Sequence, residues 1–299
     1  MVRFFTDLKR ILGPTALMRI ARQLPQNNGL ALGGQLAYLF ILFLFPFLIF
    51  MVTLAGIAVN DPVATLGNLA ERMESFWPRE TIELIRRYLV RTAEGTSLAT
   101  FVSSVLFTLG VGSAAAEAIS NAANRFYGVQ ETRPFWKVRG VAVLLIFVFT
   151  LMIVALAFMI LSPQTGAYLQ RAMGLPDGFL SWWTLLGWLI TFLAVTLALD
   201  VLYYLAPNAD IPFRWVTPGG FTAAVLLLIT SQIMRFFVAD VFRYDQLYGQ
   251  LGAGIVLLTW LYVIGLVVLI GIQMNAVLAE MAGEHEDIEI GGSTKEDSP

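Results

Sequence analysis

The chain of 299 residues contains no cysteine and a single histidine, His285. Without thiols it can form neither disulfide bonds nor thiolate metal sites. With one histidine, placed in an acidic tail, it also lacks the Ser-His-Asp and Cys-His arrangements of hydrolases. His285 stands beside Glu284, Glu286 and Asp287, a pattern more typical of a solvated acidic end than of a metal site. We therefore predict a protein without metal or cofactor that is not an enzyme.

Charge is also scarce, because only 13% of the residues are Asp, Glu, Lys or Arg, whereas a soluble domain carries about 25%. The 19 basic and 21 acidic residues leave a net charge of −2. The chain thus lacks the concentrated basic surface that nucleic-acid binding requires, and we expect no nucleic acid among its partners. It has no Walker-type phosphate loop with Gly-Lys-Ser/Thr, which argues against an ATP-hydrolysing pump.

In place of charged residues, the sequence contains long apolar runs. Hydrophobic residues make up 58% of the chain, and the mean hydropathy is +0.73. Six segments reach the ~20 residues that cross a hydrocarbon core. These segments are 30–59, 98–119, 141–161, 183–206, 219–241 and 251–278. They predict an all-α polytopic membrane protein with a bundle of six transmembrane helices over residues 29–280, and membrane lipids as its first partners.

Basic residues indicate the orientation in the membrane. Those before the first span and between the second and third are Arg3, Lys9, Arg10, Arg19, Arg22, Arg125, Arg133, Lys137 and Arg139. Short loops rich in Lys and Arg stay in the cytoplasm. This predicts a multi-pass protein of the bacterial plasma (inner) membrane with both termini cytoplasmic. Segment 60–97, which this topology places outside, also carries arginines and opposes the assignment.

Three segments lie outside the predicted spans. Residues 1–28 combine apolar and basic positions at helical spacing, which favours a cytoplasmic interfacial amphipathic helix over a solvated basic leader. Spacing within 62–95 predicts two short amphipathic helices on the outer face, with Glu83 and Arg87 as an i,i+4 pair. These helices either rest on lipid, which is the default, or cap a cavity. Residues 281–299 predict a disordered acidic tail.

Polar side chains within the spans are costly and therefore mark candidate sites. On the inner side the candidates are Gln35, Glu117, Asn121, Asp200, Gln273 and Asn275. On the outer side they are Arg235, Asp240, Arg243 and Tyr248. The inner set forms either a polar vestibule for a solute or headgroup, or interhelical hydrogen bonds with access to interfacial water, and the second interpretation is favoured. In the outer set, Arg235 either snorkels outward or pairs with an acid such as Asp240, or it holds an anionic ligand, and snorkelling or pairing is favoured. Pro46, in the middle of the first span, predicts a kink and a candidate hinge.

Several strings occur in a characteristic order along the chain. They are AY at 37–38, LFP at 44–46, NAANRFY at 121–127, RPF at 133–135, YYLAPN at 203–208, RWVTPGG at 214–220, YDQLYG at 244–249 and LIGIQMNA at 269–276. Together they resemble the YihY/BrkB family of bacterial integral membrane proteins. The resemblance implies six spans with cytoplasmic termini and a virulence-associated or transport role without a defined substrate. Members have also been labelled a tRNA-processing ribonuclease, an activity that the few basic loop residues argue against.

These features predict a membrane transporter that moves an amphiphilic, lipid-like or organic solute without hydrolysing ATP. Apolar walls with polar groups at each end suit a substrate of both characters. The alternative is a membrane scaffold or assembly factor that binds lipid or an envelope protein without transport. A cavity open to one side and reaching mid-membrane favours transport, whereas a close-packed bundle with an exposed apolar groove favours the scaffold. A homo-oligomer is compatible with both.

Overall fold

The computed structural model describes residues 13–58, 83, 87, 98–176, 178–209, 211, 215–236 and 251–281. In these segments the chain forms seven long helices and no strand. The helices are α1 (Pro14–Gln26), α2 (Gly29–Ala58), α3 (Leu98–Tyr127), α4 (Phe135–Met173), α5 (Phe179–Leu205), α6 (Pro218–Phe236) and α7 (Leu251–Met281). Helices α2 to α7 occupy the six predicted spans in order.

Four of these helices are long and apolar enough to cross a membrane. They are α2, α3, α5 and α7, over Gly29–Met51, Phe101–Tyr127, Phe179–Leu205 and Gly254–Met281. In the described part of α6 the apolar stretch, Pro218–Met234, is shorter. The all-α polytopic membrane protein is therefore confirmed, since helices close their own backbone hydrogen bonds and can cross a bilayer. The count of six crossings stays a prediction.

Helix α4 continues well past residue 161, where its predicted span ends. Its 39 residues run through Pro163 to Met173. Gly174 then ends the helix in a left-handed conformation (φ 62°) and donates its N–H to the carbonyl oxygen of Gln170. Packing against α5 supports the extension, since a Cβ at Gly166 would lie 2.6 Å from Cδ1 of Trp183. The apolar pattern alone therefore predicts too early an end.

Helix α7 lies at the centre of the bundle and contacts α1, α2, α3, α5 and α6. Its crossing with α2 depends on small residues. A Cβ at Gly33 would lie 2.7 Å from Cδ2 of Leu266, and one at Gly265 would lie 3.2 Å from the carbonyl oxygen of Gly33. Small residues let membrane helices approach closely, where dispersion contacts are strongest. Helix α4 packs further out, against α3 and α5.

Helix α1 is the described part of the predicted interfacial segment 1–28. Pro14 stands at its first turn, where a residue without an N–H fits well. Ala16 and Ile20 are buried, and Ile20 packs against α7, whereas Met18 and Arg22 are exposed. This division into two faces is the amphipathic pattern that favours the membrane surface. The interfacial location itself stays a prediction.

The other flanking segments are largely outside the described residues. Glu83 and Arg87 are the two described positions within 62–95; they are helical and form the predicted i,i+4 ion pair at 3.5 Å. The predicted tail 281–299, which includes His285, lies outside the described residues apart from Met281, the last residue of α7. The disorder predicted for it stays a prediction.

Candidate functional site

Hydrogen-bonded polar side chains concentrate at one end of the bundle, where α3, α5 and α7 end and α4 and α6 begin. We call this the polar end. Asn124 of α3 is linked there to Asn208, which follows α5. Asp200 of α5 is linked to Thr217, which precedes α6, and Thr217 is linked to Asn275 of α7. The three links join four helices through side chains that are far apart in the sequence.

Asp200 is fully buried and accepts hydrogen bonds from Thr217 at both carboxylate oxygens. The Thr217 backbone N–H donates to Oδ2 over 3.2 Å, and its hydroxyl donates to Oδ1. Because Pro218 is the first residue of α6, Thr217 occupies the N-cap position. Its hydroxyl also accepts the N–H of Gly220 over 3.0 Å, as an N-cap side chain does. Asp200 thereby fixes the start of α6 to α5.

Asn275 brings α7 to the same point. Its Nδ2 donates to the Thr217 hydroxyl over 2.9 Å, and its Oδ1 accepts the N–H of Gly219 over 2.9 Å. Two glycines permit this approach, since a Cβ at Gly219 would overlap Asn275 and one at Gly220 would overlap the Asp200 carboxylate. Asp200, Thr217 and Asn275 form one hydrogen-bonded cluster, which we call the α6 cap.

Tyr203 lies one turn beyond Asp200 on the same face of α5 and is fully buried. A Cβ at Gly271 of α7 would overlap its hydroxyl, so the aromatic ring packs against bare backbone. The hydroxyl has no hydrogen-bond partner in the part of the chain that the structure describes. A buried hydroxyl without a partner is unusual and costs stability. Tyr203 therefore contributes close packing between α5 and α7 rather than a polar link.

A second cluster joins the connection between α3 and α4 to the end of α5. Arg133 forms an ion pair with Glu131 at 2.6 Å. It also donates to the carbonyl oxygens of Leu205 and Ala206 over 3.0 and 2.9 Å. The last carbonyls of a helix lack intrahelical partners and favour a cation. Asn124 donates to Glu131 over 2.8 Å and so ties α3 to the same group.

Asn208 completes this cluster, which we call the Arg133 clasp. Its backbone N–H donates to Oδ1 of Asn124 over 2.6 Å, and its Nδ2 donates to the carbonyl oxygen of Gln130 over 2.8 Å. Burial acts to raise the pKa of Glu131, but the hydrogen bonds from Arg133 and Asn124 and the charge of Arg133 outweigh it. They hold that pKa below its ordinary value of 4.5. Glu131 is therefore a carboxylate at neutral pH.

Gln273 is fully buried in α7 and faces α1. Its Nε2 donates to Oε1 of Gln23 over 2.8 Å, and Nδ2 of Asn27 donates to its Oε1 over 3.5 Å. Arg19 and Glu280 add an exposed ion pair at 3.0 Å. These contacts hold α1 against the end of α7. They give Gln273 a role in docking α1.

Glu117 and Asn121 line a cavity of about 410 Å³ between α3 and α4. The remaining lining residues are Ser120, Glu131, Val138 and Arg139. Glu117 and Asn121 are exposed, whereas Ser120 is buried. The cavity wall therefore offers an acid, a base, an amide and a hydroxyl, and it adjoins the Arg133 clasp through Glu131.

The predicted inner-side candidates fall into separate places. Asp200 and Asn275 meet in the α6 cap. Glu117 and Asn121 share the cavity, and Gln273 binds α1. The structure thus brings two pairs of them together, each in its own environment. A single path through all of them stays a prediction.

The other candidates are less informative. Gln35 is exposed on α2. Helix α2 continues unbroken through Pro46 from Gly29 to Ala58, and a hinge at Pro46 stays a prediction. The outer-side candidates lie outside the described residues: Asp240, Arg243, Tyr248 and the side chain of Arg235. Among the described residues, no group of three or more His, Cys, Asp or Glu side chains is arranged to hold a metal ion.

Sequence reasoning did not identify Thr217 or Arg133 as site residues. Thr217 has a visible signal, because Thr followed by Pro is the pattern of an N-cap and a first helical residue. In the sequence, Arg133 is a positive charge that indicates topology and part of a string shared with the family. Nothing in its spacing shows that its guanidinium reaches Leu205, 72 positions further along the chain. Contacts of this kind exist only in the folded bundle.

The long apolar helices and the buried polar end define an all-α polytopic membrane protein. The family model described as Virulence factor BrkB matches residues 20–291, which include the described parts of α2 to α7. The chain therefore belongs to the BrkB family. The resemblance to the YihY/BrkB family, based on short strings of residues along the chain, is confirmed.

Relatives agree with this assignment. The ribonuclease-like protein YfkH of Bacillus subtilis strain 168 is 31% identical over 254 residues, which cover 84% of this chain and 90% of YfkH. A UPF0761 membrane protein of Psychromonas ingrahamii is 29% identical over 118 residues, or 40% of this chain and 36% of the relative. A UPF0761 membrane protein of Vibrio campbellii is 32% identical over 132 residues, which cover 44% of this chain and 37% of the relative. The name of YfkH matches the ribonuclease label attached to the family. No solved structure matches the chain.

Proposed function

We propose that this protein is a transporter of the bacterial plasma membrane that moves an amphiphilic, lipid-like or organic solute without hydrolysing ATP. One observation carries the proposal: a single face of α5 is buried at the polar end and exposed along its other half. The residues at helical spacing on this face are Leu185, Leu189, Leu193, Thr196, Asp200 and Tyr203. The first three are 58%, 53% and 50% exposed, and the last three are 1%, 1% and 2% exposed.

Because α5 is one continuous helix, this face points in nearly the same direction along its length. At the polar end it contacts α6 and α7, through Asp200 and Tyr203. The facing side of α6 changes in the same way. Phe221 packs on Phe192 of α5 with ring centroids 5.6 Å apart, whereas Leu228, two turns further along, is exposed. We infer that α5 and α6 diverge away from the polar end and leave a wedge-shaped opening, which we call the wedge.

The wedge reaches the middle of α5, and the α6 cap closes it at the polar end. Transporters that work by alternating access are open on one side at a time, with discontinuous or breakable contacts at the closed side. The closure here consists of hydrogen bonds around Thr217 and of glycine contacts. Interhelical hydrogen bonds in membranes contribute only about 0.6–2 kcal/mol each, so such a closure can open at moderate cost. We assign Asp200, Thr217 and Asn275 to this gate.

The lining of the wedge suggests the kind of solute. Leu185, Leu189 and Leu193 provide an apolar wall, and the wedge ends at the polar Asp200 cluster. An amphiphile matches both surfaces. We assign the polar end and both termini to the cytoplasm because of the basic residues there, and in this orientation the wedge opens toward the outside. The proposed transport involves no catalytic reaction, and the ribonuclease-like name belongs to YfkH.

The absence of cysteine permits a direct test, because a single introduced thiol is the only one in the chain. Leu189→Cys places a thiol in the wedge, and Ile190→Cys places one on the neighbouring exposed face of α5, directed at lipid. Maleimides react with the thiolate, which forms only in contact with water. We expect a membrane-impermeant maleimide to label Leu189→Cys at least about tenfold faster than Ile190→Cys.

The same variants connect the wedge to transport. In liposomes, we expect the protein to accelerate movement of an NBD-labelled phospholipid between leaflets, and labelling of Leu189→Cys to stop it while labelling of Ile190→Cys does not. Equally slow labelling at both positions would refute the wedge. Fast labelling at Leu189→Cys without any protein-dependent movement of the lipid would refute a lipid-like solute.

The alternative function, a scaffold without transport, has one observation in its favour. Helix α1 is held against the end of α7 by Gln273 and Glu280, and it presents Met18, Arg19 and Arg22 on its exposed face. An exposed face that combines apolar and basic side chains suits an anionic membrane surface or a partner protein. A scaffold would leave lipid movement at the rate of protein-free liposomes.

A further inference from the structure

The cavity between α3 and α4 is built by helices other than those of the wedge, and the proposed transport does not use it. Its wall carries two charges of opposite sign, on Glu117 of α3 and Arg139 of α4. Glu131 adds no further net charge, because Arg133 already neutralises it at 2.6 Å. Asn121 adds an amide that can both donate and accept a hydrogen bond. A guest that carries both a cationic and an anionic group matches this wall.

An apolar surface leads from the cavity along the membrane-facing side of α3. Gly110 and Leu106 lie 7 and 11 residues before Glu117, so all three share one stripe of the helix. All three are exposed, and a Cβ at Gly110 would meet no atom within 4 Å. Gly110 thus forms a notch directly above the charged wall. Phe107 is also exposed beside the notch, so a hydrocarbon chain can lie there against apolar side chains.

The neighbouring part of α4 has the same character. Val143 and Phe147 are exposed on the turns that follow Arg139. Trp136, near the start of α4, is 77% exposed, and tryptophan favours the depth of the lipid headgroups. Arg139 is one turn from Trp136 on α4, so the cavity that it lines lies near headgroup depth. A volume of about 410 Å³ is within the range of small-ligand sites and holds a headgroup, with the acyl chains left outside.

From these features we propose that the cavity is a binding site for a zwitterionic aminophospholipid. The ammonium of the headgroup faces Glu117, the phosphate faces Arg139, and one acyl chain runs along the Gly110 notch. Charge-assisted hydrogen bonds to both groups fix the orientation. An anionic lipid without an amine, such as phosphatidylglycerol, retains the phosphate contact and loses the contact with Glu117.

Native mass spectrometry of the purified full-length protein tests this assignment. Phosphatidylethanolamine and phosphatidylglycerol with identical acyl chains are titrated separately, and one dissociation constant is obtained for each. We expect the wild type to bind phosphatidylethanolamine about tenfold more tightly than phosphatidylglycerol, because one additional charge-assisted hydrogen bond contributes about a factor of ten in affinity. Glu117→Gln should abolish this preference with little change for phosphatidylglycerol. Arg139→Gln should weaken both lipids, because both carry the phosphate.

Matched variants separate the cavity from general charge effects. Glu280→Gln and Arg125→Gln remove charges of the same two kinds at the polar end, outside the cavity lining. They should bind both lipids as the wild type does. An N-acetylated phosphatidylethanolamine probes the same contact without any substitution, and the wild type should bind it no better than Glu117→Gln binds the parent lipid. This arm remains decisive if Glu117→Gln does not fold.

Three results would overturn the proposal. The first is equal binding of the two lipids by the wild type, which would mean adventitious lipid only. The second is an undiminished preference in Glu117→Gln. The third is competition by glycerophosphoethanolamine, which has no acyl chains, at the same concentration as the lipid; this would identify a soluble solute. Loss of lipid movement in liposomes bears on the transport proposal and leaves this binding result unaffected.

Discussion

At the scale of single residues, Thr217 organises the polar end of α5, α6 and α7. Its hydroxyl donates to Asp200 and accepts from both Gly220 and Asn275. A hydroxyl can donate one hydrogen bond and accept two, so the Thr217 hydroxyl forms every hydrogen bond that it can. Asp200 and Asn275 stand out in the sequence as polar residues in apolar spans. Thr217, which joins them, lies in the connection between α5 and α6, where a polar residue does not stand out from its neighbours.

Asp200→Ala tests the α6 cap. The substitution leaves the N–H and hydroxyl of the half-buried Thr217 without their acceptors, and each such group costs up to about 1–3 kcal/mol. We expect a lower unfolding temperature in detergent. Asp200→Asn should have a smaller effect, because it keeps one acceptor oxygen. Equal unfolding temperatures for the wild type and Asp200→Ala would show that the cap does not stabilise the bundle.

Gly219→Ala tests the close approach of α6 and α7. A Cβ there would overlap the carbonyl oxygen of Gly271 and the Asn275 side chain, so backbone has to move. Overpacking of this kind typically costs about 1–3 kcal/mol. Gly254→Ala is the matched control, since a Cβ at Gly254 meets no atom within 4 Å and alanine favours helix. Thermal unfolding should therefore separate the two variants. Equal destabilisation by both would attribute the effect to loss of glycine alone.

At the scale of helices and connections, the predicted spans and the observed helices agree in order but not in their ends. Helix α4 runs to Met173 instead of residue 161, because Gly174 ends it and Trp183 packs against it. Apolar pattern defines only the part of a helix that meets hydrocarbon. Where a helix begins and ends depends on caps and neighbours. The connection at 128–134 is an example, since its conformation depends on contacts with the end of α5.

The Arg133 clasp should make stability depend on acid pH. Because the pKa of Glu131 is below its ordinary value of 4.5, its contribution is present above that value and is lost as pH falls through the lower, folded-state pKa. Glu131→Gln should lower the unfolding temperature at neutral pH, and the difference from the wild type should shrink as the pH falls from neutral to below 4.5. A difference that stays constant over this range would contradict the ionic role of Glu131.

At the scale of the whole molecule, α7 holds the bundle together, and the proposed wedge separates α5 from α6 away from the polar end. Helix α7 contacts α1, α2, α3, α5 and α6. Its Gly271 packs closely against Tyr203, and its Gly265 packs closely against Gly33. The face of α5 that contains Leu189 is exposed along one half and buried along the other. In the proposed transport, α4 and α5 move together as an outer pair against the central helix α7.

The orientation of the molecule is open to a single-thiol test. Gln130→Cys lies in the exposed connection at the polar end, and Met173→Cys lies exposed at the opposite end of α4. An impermeant maleimide should label Met173→Cys in intact cells and Gln130→Cys only after permeabilisation, because we propose that the basic polar end faces the cytoplasm. The reverse pattern would show the opposite orientation and would turn the wedge toward the cytoplasm.

The sequence by itself determined that the chain resides in a lipid bilayer, how many long apolar segments it has and to which family it belongs. It also determined which polar residues lie within the apolar segments, where their burial costs free energy. These follow from composition and local spacing, since transfer of apolar side chains into hydrocarbon depends little on neighbours far along the chain. Only the tertiary structure decided which polar residues meet. Asp200 joins Asn275 through Thr217, Glu117 faces a cavity beside Arg139, and Gln273 docks α1, because hydrogen bonds form only between groups that the packed helices bring within about 3 Å.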